Sequence, residues 1–295
     1  MPTVDLPAGP VDYTDSGGTG PVLVLGHGLL MNESQWRKVI PILDDYRCIA
    51  PTLPMGGHRR PMKEDADLSQ NGVARILADF MDALDLHDVT LVLNDWGGGQ
   101  FVISEDRADN VARLVLISCE AFDNFPPKPA RPAVMLCRVP GGCRLFVKLL
   151  STRFFRHNPK AYGALSKYGV PDDVMDDWFA PASSSTEIRR DLRKFVIGTP
   201  NRKVLMEWSS RLASFDGPTL VVWATEDRMM PLEHAHRLVH LFPNAEMVTI
   251  EDSWTLIPED QPEALATALR EFVPLNSGVA RRITDRREAE RTTNQ

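Results

Sequence analysis

Six short apolar runs, at 22–25, 48–50, 89–93, 114–117, 219–223 and 247–250, are bounded by Gly, Pro or Asp and lack apolar–polar alternation. That pattern predicts strands buried on both faces. Between them, apolar residues recur with helical spacing. Val73, Ile76, Leu77, Phe80, Met81 and Leu84 fall on one face of an amphipathic helix. Pro262 stands where it can open a last helix carrying Ala264, Leu265, Ala268, Leu269 and Phe272. Strands alternating with helices predict an α/β fold, a mostly parallel central sheet flanked by helices.

One stretch breaks the rhythm. Residues 125–215 contain no convincing buried strand, but hold Pro126, Pro127, Pro129, Pro132 and Pro140, then helical patches rich in Arg and Lys. The expected organisation is a core in two parts, 1–124 and 216–274, with a helical cap at 125–215 inserted between two strands. Residues 275–295, with Arg281, Arg282, Arg286 and Arg287 and few apolar side chains, cannot offset their ordering entropy by burial and are expected to be a mobile tail. No internal repeat is evident.

Composition narrows the function classes. Hydrophobic residues are 43% of the 295 and charged residues 25%, an ordinary soluble profile. The formal net charge of −7 argues against nucleic acid or an anionic membrane as the main partner. No apolar run approaches the ~18 residues that cross a bilayer. Residues 1–20 carry Asp5, Asp12 and Asp15 and lack a basic segment followed by an apolar one, so a secretory signal is not expected. Cys48, Cys119, Cys137 and Cys143 form no CxxC pair and no zinc spacing, which points to reduced thiols in the cytoplasm.

The sharpest local signal is Leu91-Val92-Leu93-Asn94-Asp95-Trp96-Gly97-Gly98-Gly99, followed by Phe101, Val102 and Ile103. An apolar strand, a polar residue, glycines and an apolar helix start make a nucleophile elbow. Asp95 would stand at the strand tip beside a helix N-terminus, where an anionic carboxylate is favoured. A plain helix N-cap would use Asp in the same way. A second signal, Leu25-Gly26-His27-Gly28-Leu29, follows the first strong strand. Its Leu29 N–H, with the N–H of Trp96, would form a two-donor oxyanion or leaving-group site. His27 in such a turn is more often a structural hydrogen-bonding residue, though it could touch substrate.

These residues, with Trp36, Leu116-Ile117-Ser118-Cys119-Glu120, Trp223-Ala224-Thr225-Glu226-Asp227 with Pro231, and Glu259-Asp260-Gln261-Pro262, give a chain that resembles the α/β-hydrolase superfamily. Within it, the similarity is to the haloalkane dehalogenase and epoxide hydrolase branch, over nearly the whole length. The resemblance implies an α/β-hydrolase fold with Asp95 as nucleophile, forming an ester with the substrate. It implies a supporting acid at Glu120 or Asp227. Trp96 matches the indole that holds a leaving halide in dehalogenases, or else packs over the cleft.

The chain also departs from that branch. The position of the His that activates water holds Thr255, and Thr cannot accept a proton near neutral pH. Leu29 replaces the halide-binding Asn of the dehalogenases. Tyr162 and Tyr168 are both available for a phenolic role in the cap, and spacing does not choose between them. His58, beside Arg59 and Arg60, could substitute for the missing His or hold a substrate carboxylate, or else lies on a solvated loop. His234, His236 and His240 read as a surface helix face, not a metal site. The expectation is a cofactor-free enzyme with no metal, a hydrolase acting on a small, largely apolar organic molecule. The alternatives are a lyase, isomerase or cyclase on the same scaffold, and an inactive ligand-binding homologue. The sequence does not specify the oligomeric state.

Overall fold

Each of the six apolar runs is a strand in the computed structural model, which describes residues 1–159 and 161–275. They are β3 (Val22–Gly26), β4 (Arg47–Pro51), β5 (Val89–Asp95), β6 (Val111–Cys119), β7 (Thr219–Ala224) and β8 (Ala245–Ile250). Two more, β1 (Thr3–Leu6) and β2 (Gly9–Asp15), precede them as an antiparallel hairpin. The described strands form one eight-stranded sheet in the order β1-β2-β4-β3-β5-β6-β7-β8. From β4 to β8 every pairing is parallel, and the hairpin joins antiparallel through β2 and β4.

Alternate residues of each central strand explain the unbroken apolar runs. Leu23, Leu25, Val92, Val115, Ile117, Leu220 and Val222 pack on one face with Trp36, Leu265 and Leu269. Val24, Leu91, Leu93, Leu114, Leu116, Val221 and Trp223 pack on the other with Val73, Leu77 and Phe80. Each such side chain contributes roughly 1.5–3 kcal/mol when fully buried.

The helix predicted around residues 73–84 is α1 (Gln70–Ala83), N-capped by the Ser69 side chain, and it buries Val73, Ile76, Leu77, Phe80 and Met81. The turn after β5 enters α2 (Phe101–Ser104). Between β6 and β7 the described residues form helices and no strand. These are α3 (Arg131–Arg138), α4 (Gly142–Leu150), α5 (Arg153–Arg156), α6 (Asp172–Ser184), α7 (Thr186–Ile197) and α8 (Arg202–Arg211). Next come α9 (Leu232–Leu241) between β7 and β8, a short α10 (Ile257–Asp260), and α11 (Pro262–Phe272) with Pro262 at its first turn. In α11 the buried face is Leu265, Ala266, Ala268 and Leu269, while Ala264 is exposed. Apart from Leu275, the tail expected to be mobile lies outside the described residues.

One expectation about the cysteines is corrected. Cys137 and Cys143 are joined as a disulfide, with Cα atoms 4.4 Å apart. The chain turns through Val139, Pro140 and Gly141 between α3 and α4, which brings the two together. Cys48 and Cys119 are free and buried.

Candidate active site

Strand β5 is buried from Val89 to Asn94 and ends at the partly buried Asp95, whose φ of +63° lies in the left-handed region. Non-glycine residues adopt that region rarely, and strain of this kind collects at functional sites. The close packing around the turn needs glycine. A Cβ on Gly28 would lie 2.1 Å from Oδ2 of Asp95, and one on Gly97 would lie 1.8 Å from the Glu120 carbonyl oxygen. The His27-Gly28-Leu29 turn therefore presses directly on the Asp95 carboxylate. The Leu29 N–H lies toward that carboxylate and favours its charged form. Burial, reinforced by the charge of Asp227, outweighs this and pushes Asp95 up to about 7.

Asp95 stands on the wall of a cavity of about 710 Å³. Its lining is mostly apolar and aromatic, including Trp96, Phe146, Leu150, Phe155 and Phe195. Glu120 faces the same space, and its N–H is donated to the Asp95 carbonyl at 3.0 Å. Burial and the Asp95 charge push Glu120 well above the usual carboxylate range. Two carboxyl groups thus share an apolar cavity, where burial first and the Asp95 charge second favour the protonated form of Glu120. The other polar groups on the wall include Gln70, Thr199 and the Tyr162 phenol.

Asp227 follows β7. Its Oδ1 accepts the N–H groups of Met229 and Met230, each at 2.8 Å, and the Thr255 hydroxyl at 2.9 Å. Its Oδ2 is buried without a hydrogen-bond partner of normal geometry. Burial raises Asp227 to about 6 against these donors and the Ser118 hydroxyl. Thr255 itself is fully buried. Its carbonyl accepts from Asn94 Nδ2 at 2.8 Å, and Asn94 Oδ1 accepts from Gln35 Nε2 at 2.7 Å. Gln35 Oε1 in turn accepts the Gly28 N–H at 2.8 Å. This amide chain ties the turn that touches Asp95 to the segment bearing Thr255.

The remaining expected site residues are distributed as follows. The Trp96 indole N–H does not point free into the cavity; it is donated to Gln70 Oε1 at 2.7 Å. His27 is buried, with Nδ1 donating to the Gly28 carbonyl at 2.8 Å and Nε2 accepting the Leu53 N–H at 2.8 Å. Burial lowers its pKa to about 4, so it is neutral and braces two turns. The expected solvated loop at His58 is corrected. His58 is buried against Asp191 of α7 at 3.3 Å, away from the cavity wall. The expected surface face of α9 is also corrected in part, because His234 is buried while His236 and His240 are exposed. Of the two tyrosines, Tyr162 lines the cavity and donates its phenol to the Leu29 carbonyl. Tyr168 is exposed and bonds Asp252.

Gln70 and Gln35 were not singled out by sequence reasoning, and Asn94 was quoted only as part of the elbow. Gln70 carried a usable signal, as a polar residue opening a helix at the carboxyl edge of the sheet, where α/β folds bind ligands. Among the described residues, no group of His, Cys, Asp or Glu is arranged to hold a metal ion.

Residues 21–260 match the alpha/beta hydrolase fold family. A haloalkane dehalogenase of Mesorhizobium japonicum is 25% identical over 282 residues, covering 90% of this chain and 88% of its own length. An uncharacterised hydrolase of Bacillus subtilis is 25% identical over 255 residues, 85% of this chain and 89% of its own. The crystal structure of the haloalkane dehalogenase DbeA from Bradyrhizobium elkani superposes with a TM-score of 0.75 at 18% identity, covering 92% of this chain and 96% of that one. A thermophilic esterase from Thermogutta terrifontis superposes with a TM-score of 0.68 at 21% identity, over 92% and 97%. A dehalogenase and an esterase share this architecture, so the likeness in structure speaks for the fold and not for one reaction.

Proposed function

The chain belongs to the alpha/beta hydrolase fold family, and on that premise we propose that it is a hydrolase-type enzyme whose nucleophile is Asp95, acting on a small apolar molecule with an electrophilic carbon. The observation that carries this reading is Asp95 itself. It is held at a φ of +63° on the wall of an apolar cavity, with the Leu29 N–H on its carboxylate.

In the first half-reaction an Asp95 oxygen attacks the carbon, a C–O bond forms, and the bond to the halide or epoxide oxygen breaks with its electron pair. In the second half-reaction water attacks the ester carbonyl and the alcohol leaves. The Leu29 N–H is placed to stabilise charge on the carboxyl oxygen in that step. A base should take the proton from water. On this reading Thr255 stands where the resemblance would put a His, and its hydroxyl is donated to Asp227. The ester is therefore expected to persist, and the slow step is its hydrolysis.

A second reading rests on Glu120. Glu120 and Asp95 are two carboxyl groups on one apolar cavity wall, both pushed up chiefly by burial, and such a pair can pass a proton to and from a ligand without a covalent ester.

Intact mass after incubation with 1-bromobutane or an alkyl epoxide separates the two. A stable adduct mapped to Asp95, absent from Asp95→Asn, supports the nucleophile. Turnover of a cavity ligand with no adduct at any time supports acid–base chemistry. Neither adduct nor turnover with any alkyl electrophile overturns both.

A further inference from the structure

The formal net charge of −7 is very unevenly distributed. Residues 124–171 hold nine of the 33 Lys and Arg and none of the 40 Asp and Glu. Some of these cations are neutralised by acids outside the run. Arg153 and Arg156 pair with Asp172, and Lys167 pairs with Glu226 and Asp252. Lys128, Arg131, Arg138, Arg144 and Lys148 are exposed and make no ion pair among the described residues.

Large apolar side chains stand among them. Phe154 is 88% exposed, Met135 67%, Val139 51% and Leu145 49%, and these four are most of the exposed large apolar residues among the described residues. The two sets share helix faces. On α3, Arg131, Met135 and Arg138 follow helical spacing on the outside, while Ala133 and Leu136 line the cavity within. On α4, Arg144, Leu145 and Lys148 point out, while Phe146, Leu149 and Leu150 line the cavity. The cavity reaches the surface on this side, because Lys128, Pro129 and Pro132 both line it and are exposed.

Cations interleaved with bulky apolar groups on helix faces are what an interfacial segment presents to lipid headgroups. A second copy of the chain docked face to face here would set like charges against each other. The cavity adds a further reason. Its apolar lining selects ligands that concentrate in hydrocarbon, and its mouth lies inside the same face. The acidic remainder of the surface would be repelled by an anionic bilayer, which orients the molecule.

We propose that the basic, apolar-studded face formed by α3, α4 and α5 docks on an anionic lipid surface, with the cavity mouth turned toward the bilayer. The proposal concerns where ligand enters and is independent of the chemistry at Asp95.

The test is sedimentation of the full chain with vesicles. Wild type should bind vesicles of phosphatidylcholine containing phosphatidylglycerol at low ionic strength, release in high salt, and ignore pure phosphatidylcholine. The triple variant Arg138→Glu, Arg144→Glu, Lys148→Glu should bind on the order of 100-fold more weakly. All three positions are exposed, and circular dichroism checks the fold. Phe154→Ser should weaken binding without changing its salt dependence, as a second variant that leaves every charge in place. Asp95→Asn should bind like wild type, which keeps this result separate from the reaction. Wild type left in the supernatant with anionic vesicles overturns the proposal. So does equal binding by the charge-reversed variant, equal binding to neutral vesicles, or self-association that the three reversals abolish.

Discussion

The Thr255 hydroxyl is donated to Oδ1 of Asp227 at 2.9 Å, while Oδ2 of the same carboxylate is buried with no partner of normal geometry. The acid is thus half satisfied, and the unsatisfied half is where a ring N–H could be received. Thr255→His places an imidazole against that oxygen and within potential reach of water beside an Asp95 ester. A general base is worth about 10²–10⁴-fold. The expected outcome is conversion of a single-turnover alkylation into multiple turnover, read as product per enzyme by gas chromatography. No gain in a folded variant that still alkylates would count against the proposal that the lack of a base at position 255 limits ester hydrolysis.

Asp95 carries a cost to stability that has a definite pH signature. Its folded pKa of about 7 exceeds the ordinary value of 3.8, so the fold favours the protonated form. Stability associated with this group is complete below pH ~4, is lost as pH rises toward 7, and is flat above that. Asp95→Asn removes the penalty while keeping an acceptor for the Leu29 N–H, and Asn tolerates positive φ. The variant should be more stable than wild type by about 2–4 kcal/mol at pH 8 and nearly equal at pH 4. Urea melts at both pH values measure this. A variant less stable at pH 8 would show that the carboxylate is better solvated than its burial implies.

The six central strands were legible because burial on both faces leaves an unbroken apolar run. The hairpin β1–β2 was not. It lies at the sheet edge, several of its residues are half-exposed, and Pro7, Gly9 and Pro10 punctuate it like a loop. Asp95 was legible because the strand, the acid and three glycines are contiguous. The amide chain behind it was not, since Gln35 reaches Asn94 across 59 residues and Asn94 reaches Thr255 across 161. His58 was misplaced for the same reason, because its partner Asp191 is 133 residues away. The disulfide was hidden because the spacing of Cys137 and Cys143 has no signature until the turn between α3 and α4 closes.

Gly28→Ala tests how closely the Leu29 turn is fitted to the Asp95 carboxylate. The added Cβ would stand 2.1 Å from Asp95 Oδ2, so the turn, the carboxylate or both must move. The expected result is at least a tenfold loss of Asp95 alkylation in a protein that still folds, since a misplacement of about 1 Å can cost 10²-fold. Labelling with 1-bromobutane followed by mass spectrometry reads it. An unchanged rate would mean that the turn relaxes freely and that the Leu29 N–H is not a fixed donor.

Gln70→Ala probes the leaving-group side. In the wild type the Trp96 indole N–H is already taken by Gln70 at 2.7 Å, so a halide binding there must first displace that bond. Removing the amide frees the donor at a cost of about 1–3 kcal/mol for the unpaired buried group. Bromide should bind the variant more tightly than wild type, measured as quenching of tryptophan fluorescence. Loss of bromide binding in the variant would place the halide on Gln70 and not on Trp96.

The rate of alkylation should follow the ionised fraction of Asp95, because only the carboxylate attacks carbon. With a pKa of about 7, the rate should rise up to ~10-fold per pH unit below 7 and level off above it. Asp227 titrates at about 6, so it is charged across the upper part of this range, and its charge is one cause of the raised Asp95 value. Asp227→Asn keeps an oxygen for the Met229 and Met230 N–H groups and for Thr255 but removes the charge. The midpoint of the alkylation profile should then move to lower pH, and the rate at pH 6 should rise although a carboxylate has been deleted. A purely structural role for Asp227 would lower the rate at every pH and leave the midpoint in place. A flat wild-type profile from pH 5 to 8 would remove Asp95 ionisation from the rate law altogether.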